Sequence, residues 1–126
     1  MAKQQITDHN SIVLLVDSFY AKARKDELIG PIFNTVIGDH WDEHLPTMYK
    51  FWGDILLNTN EYDGNPMFVH KRLNARIALE PAHFERWKKL FVETVRDLFE
   101  GDKAELAEQR AVSIATVMQL KISGYH

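Results

Sequence analysis

The chain has 126 residues, 45% apolar and 26% charged, with a net charge of -3, the profile of one ordinary globular domain spanning 1–126. That charge gives no basic face for nucleic acid and no attraction to an acidic membrane, and no apolar run is long enough to span one. Cysteine is absent, which excludes disulfides, thiolate metal ligands, cysteine nucleophiles and iron–sulfur clusters, and the polar start, Met1 to Asn10, lacks a signal-peptide core, so the cytoplasm is the expected compartment.

Thr7 or Asp8 can cap a first helix with Ile12, Leu15, Val16, Phe19 and Ala23 on its inner stripe. Gly30-Pro31 breaks that pattern, and Ile32, Phe33, Val36 and Ile37 read as a short buried turn. Asp39 can cap a second long helix, with Trp41, Leu45, Met48, Trp52, Ile55 and Leu56 on one side and Asn58-Thr59-Asn60 at its end. The turn-rich run from Tyr62 to Pro66 leads into a short helix from Met67 to about Leu73. Pro81 starts a third long helix with Phe84, Trp87, Phe91, Val95 and Leu98 inside. Beyond Gly101-Asp102, a last helix carries Ala107, Ala111, Ile114, Met118 and Ile122, its alanines permitting close approach to a neighbour. Nothing alternates with period two for long, so the class is all-α: four substantial helices and one or two short ones.

Such helices could form an up-and-down bundle. Against that, the connection from Leu57 to Pro81 is long for a simple bundle, and the polar rings of Tyr20, His44 and Trp87 interrupt inner stripes. Three Trp, four Tyr and seven Phe can be read as a well-filled core, while six His in so short a chain call for an explanation.

Two metal motifs are weak. His40-Trp41-Asp42-Glu43-His44 matches H-x-x-E-H, so a zinc hydrolase using His40, Glu43 and His44 is a remote alternative that needs a third ligand and a cleft. Glu80-Pro81-Ala82-His83 is a single E-x-x-H where a di-iron bundle needs two, and His83 is expected at the surface or in a cap.

A haem reading accounts for more of these rings. Haem iron takes one strong axial ligand, commonly neutral imidazole. His70 is the best-placed candidate, beside Met67, Phe68, Val69 and Leu73, although a His there taken alone is more often structural. Dioxygen on ferrous iron becomes partly superoxide-like, so O–H and N–H groups aimed at it stabilise it. Tyr20, His44 and Trp87 can donate, and each is also an ordinary core residue.

Ordered blocks of sequence carry a resemblance beyond these single residues. They are Phe19 to Asp26, Gly30 to Phe33, Trp41 to Trp52, Tyr62 to Pro66 followed by His70, and His83 to Phe91. Over nearly the whole chain the sequence resembles the third group of truncated haemoglobins, including in lacking the glycine motifs of the first two groups. The resemblance implies a two-over-two helical sandwich around haem b, with His70 as proximal iron ligand. It places Tyr20, His44 and Trp87 on the distal side, with Phe33 against the haem and Met48 on the distal wall. Arg72 and Arg76 are candidates for the haem propionates, and equally for a solvated basic face.

Several donors around one ligand slow its release. Retention of dioxygen or nitric oxide, nitric-oxide detoxification or peroxide chemistry therefore suits the chain better than bulk oxygen transport. An unidentified reductase is the implied partner, and the chain is expected to be a monomer. His44 could face the ligand or swing toward solvent as a gate. The alternative from another class is a cofactor-free helical module that binds a partner protein through its aromatic faces.

Overall fold

The computed structural model describes residues 3–59 and 80–123. The Tyr62–Pro66 turn, the short helix from Met67, and His70, Arg72 and Arg76 lie outside them. Helix α1 spans His9–Ala23, α2 Gly30–Ile37, α3 Trp41–Leu57, α4 Pro81–Leu98 and α5 Asp102–Ser123. Among the described residues the β pairing is one isolated bridge, Gln4 to Phe99. The all-α expectation holds.

Asp8 caps α1. Its Oδ1 accepts from the Ser11 amide at 3.0 Å, while Ser11 Oγ accepts from the Asp8 amide at 3.1 Å. Two otherwise orphaned backbone donors are satisfied reciprocally. Every residue of the expected inner stripe of α1 is buried.

The segment after Pro31 is a helix, not a buried turn. Pro31 cannot continue the preceding pattern, but its fixed φ suits the first turn of a new helix. Gly30 and Ile32 are buried, whereas Phe33, Val36 and Ile37 remain half-buried. Gly30 is required by close approach: a Cβ there would meet the Arg24 carbonyl oxygen at 2.7 Å.

The start of α3 also differs from expectation. Gly38, at φ +55°, turns the chain, and the His40 carbonyl accepts from the Glu43 and His44 amides at 3.1 and 2.9 Å. His40, rather than Asp39, therefore occupies the cap position, and no side chain bonds into it. Asn58 ends α3 in the left-handed region, a conformation its short polar side chain tolerates.

Pro81 opens α4, and His83 Nδ1 accepts from the Glu80 amide at 2.9 Å, the capping role expected of it. Helices α1 and α3 form one layer and α4 and α5 the other, joined through α1–α4 and α3–α5 contacts. Ala104, Ala107, Ala111 and Ala115 are buried and let α5 lie close along α4. Thr94, fully buried on α4, satisfies its hydroxyl by bonding the Leu90 carbonyl at 2.7 Å. The chain start is fastened to the corner between α4 and α5: the Glu100 amide donates to the Gln4 carbonyl at 3.0 Å, and Ile6 is buried.

One ion pair fixes the turn between α1 and α2 against α4. The Asp26 side chain is 9% exposed; one oxygen takes Arg86 Nη1 at 2.8 Å and the other the Leu28 and Ile29 amides at 3.0 Å. Burial would raise the Asp26 pKa, but these donors together hold it below the ordinary carboxylate value. Its stabilisation is therefore complete above the unfolded pKa of about 3.9 and is lost as pH falls through the lower folded value. Asp26→Asn should cost about 1–2 kcal/mol at neutral pH, a figure discounted because Arg86 is partly in water. Thermal melts from neutral to acid should show the gap to the parent closing.

Candidate functional site

The site begins with two neighbours on the last turns of α1. Phe19 and Tyr20 are adjacent, so their side chains leave the helix in different directions and enter different ring clusters. Phe19 meets Trp87 edge-on at 5.9 Å and Phe91 at 5.3 Å. Phe91 stacks on Trp52 at 4.5 Å and on Trp87 at 5.6 Å. These contacts join α1, α3 and α4 through edge-on and offset rings, the arrangements their quadrupoles favour.

Tyr20 enters the second cluster. Its ring meets Phe33 at 5.6 Å, Trp41 at 5.3 Å and His44 at 5.2 Å, all edge-on. Its hydroxyl shares a 3.0 Å hydrogen bond with His44 Nε2, with the donor set by the imidazole tautomer. Trp41 and His44, three residues apart on α3, meet at 5.6 Å, so Tyr20, Trp41 and His44 touch one another in a closed triangle. Arg24, four residues after Tyr20, lies over the opposite neighbour, its guanidinium carbon 4.4 Å from the Trp41 ring centroid. Burial pushes the Tyr20 phenol well above its ordinary pKa, so it is a neutral hydroxyl at any physiological pH.

Of the expected distal trio, the structure thus brings Tyr20 and His44 into direct contact. Trp87 is half-buried and meets Phe19, which also touches Tyr20. Phe33 packs on Tyr20, and Met48 is half-buried against the core one turn after His44. Trp41 reads from sequence as one more apolar residue of an inner stripe, yet it touches both polar rings. Its spacing from His44, and that of Arg24 from Tyr20, are the signals that mark the cluster. Trp41 Nε1 is buried and finds no acceptor among the described residues. The zinc trio does not converge: His44 bonds Tyr20, while exposed His40 approaches exposed Glu43 only to 3.8 Å. No group of three or more His, Cys, Asp or Glu among the described residues could hold a metal ion.

The chain is 34% identical to a group 3 truncated haemoglobin of Campylobacter jejuni, covering 98% of this chain and 97% of that one. It belongs to the group III truncated haemoglobins. The crystal structure of a group III truncated haemoglobin from Campylobacter jejuni superposes with a TM-score of 0.87, at 34% identity and 98% coverage of both chains. No family model matches. The two layers, α1 with α3 and α4 with α5, are the two-over-two sandwich of this family.

Tyr49 shows a milder form of the Tyr20 effect. Burial and its 2.6 Å bond to Asp17 push its phenol up to about 12. Stability contributed by neutral Tyr20 is complete below about pH 10 and falls as pH rises toward its higher folded pKa. In ultraviolet titration, Tyr20→Phe and the parent should give the same phenolate signal up to about pH 11. A smaller signal from the variant in that range would show that Tyr20 ionises normally.

Proposed function

We propose that this globin binds haem b through His70 and holds a small diatomic ligand, dioxygen or nitric oxide, against Tyr20 and His44. The bonded Tyr20–His44 pair, enclosed by aromatic rings, carries the reading. With the Nε2–H tautomer of His44, the imidazole donates to the phenol oxygen and leaves the phenol O–H for a third acceptor. Each bond of such a chain polarises the next.

The residues fit the proposed group. Haem is flat and apolar, and Met48, Phe51, Ile55 and Trp87 are large apolar side chains that stay half-buried along α3 and α4. The neutral Tyr20 hydroxyl supplies a donor without burying a charge. Haem supplies a ferrous iron at which dioxygen or nitric oxide attaches. Phe33 and Met48 would line the group, Trp87 would add a third donor, and Arg72 and Arg76 would reach its carboxylates.

What the side chains do is retain. Hydrogen bonds assisted by partial charge contribute about 1.5–3 kcal/mol each, which slows release roughly ten- to a hundredfold per bond. That suits sensing, nitric-oxide detoxification or peroxide chemistry, and opposes delivery. In the detoxifying version, dioxygen, nitric oxide and one electron give nitrate, so the proposal includes a separate reductase as electron donor.

The absorption spectrum of the purified protein, ferric, then ferrous with carbon monoxide, tests this reading. A Soret band that shifts on ligation, and normal ferrous coordination lost in His70→Ala, is the expected result. Tyr20→Phe should then release dioxygen about ten- to a hundredfold faster. No Soret band, even after haem is supplied, would reject the proposal and favour a cofactor-free helical module.

A further inference from the structure

The first turn of α3 carries both Trp41 and His44, and its backbone lacks one support at each end. At its start, the His40 carbonyl takes the Glu43 and His44 amides, but no side chain bonds into the cap position. Five residues on, Pro46 lies inside the helix. It has no N–H to donate to the Asp42 carbonyl, and its ring crowds that carbonyl. Thr47 Oγ1 also bonds back to the Glu43 carbonyl at 3.0 Å, a pattern that bends helices. The turn from Trp41 to Leu45 therefore lacks one backbone bond to the rest of α3.

Side chains add to the hold on this turn. Trp41, buried, meets the Tyr20 ring edge-on at 5.3 Å between centroids and the Arg24 guanidinium at 4.4 Å. Arg24 is itself tethered to α2: Asn34 Nδ2 donates to the Arg24 carbonyl at 3.1 Å, and Arg24 Nε donates to Asn34 Oδ1 at 3.4 Å. His44 follows Trp41 by three residues and packs on it at 5.6 Å. Moving Trp41 moves His44.

We infer that the Arg24–Trp41 stack is a latch that positions His44 against Tyr20, with Pro46 as the hinge about which the first turn of α3 opens. Trp41 and Arg24 act through His44 and set how often the Tyr20–His44 pair closes over the site. The inference rests on the haem reading for its functional meaning. The clamp itself does not.

The test uses the purified protein and its carbon monoxide complex. Arg24→Gln, at an exposed position, should speed carbon monoxide association about two- to fivefold, the value of one exposed cation–π contact. Trp41→Phe, whose ring is smaller and holds a cation less well, should do so to a smaller extent. Their C–O stretching band should shift toward that of His44→Leu, which lacks the donor. Pro46→Ala, which restores the backbone bond, should slow association; an equal or faster rate removes the hinge. Rates and bands matching the parent in both Arg24→Gln and Trp41→Phe overturn the latch. A second readout is independent of haem: the magnetic-resonance contact between the Tyr20 and His44 rings in the protein as purified. Weakening in both variants supports the latch, and retention in both overturns it. Failure to take up haem would reject the functional proposal and leave this ring contact to decide the inference.

Discussion

Two adjacent rings on α1, Phe19 and Tyr20, tie the molecule together. Phe19 binds α1 to α4 through Trp87 and Phe91, and Phe91 carries the contact on to Trp52 of α3. Tyr20 binds α1 to α2 through Phe33 and to the start of α3 through Trp41 and His44. One ring builds the core and its neighbour builds the site. Truncating a buried Phe of this kind costs about 3–5 kcal/mol, so the helix turn that makes the fold stable also carries the polar pair.

This sharing explains the position of the other fixed points. The Asp26–Arg86 pair and the close approach at Gly30 set the turn after α1, which determines where Phe33 and Arg24 fall around Tyr20. The bond from Tyr49 to Asp17 secures the middle of α3 to α1. Between these anchors the first turn of α3 is held by the His40 carbonyl and by side chains, with one backbone bond missing at Pro46. A site of the proposed kind, which admits a ligand and then encloses it, draws on such a less constrained element within a rigid frame.

Most of the helices were legible because burial at a period of 3.6 is a local property. The stripe of α1, the aromatic positions Trp52, Phe84 and Phe91, and Val95 are buried as read. The misreadings fell at junctions. Gly30-Pro31 signals both an end and a beginning, and only packing of Gly30 against the Arg24 carbonyl selects a helix start. Asp39 has the better capping side chain, but the turn at Gly38 gives the cap position to His40. Trp41 was hidden because an indole at an inner position reads as core whether or not it supports a polar neighbour.

The sequence by itself determined the all-α class, the family, and the residue types of the site, since ordered blocks and helical spacing are properties of a chain before it folds. Tertiary structure alone decided that Tyr20 and His44, 24 positions apart, share a hydrogen bond while Trp87 meets Phe19. The physical reason is that spacing fixes the face of a helix on which a residue lies. The partner it meets depends on how two helices cross, and that crossing is set by the packing of all the rings at once.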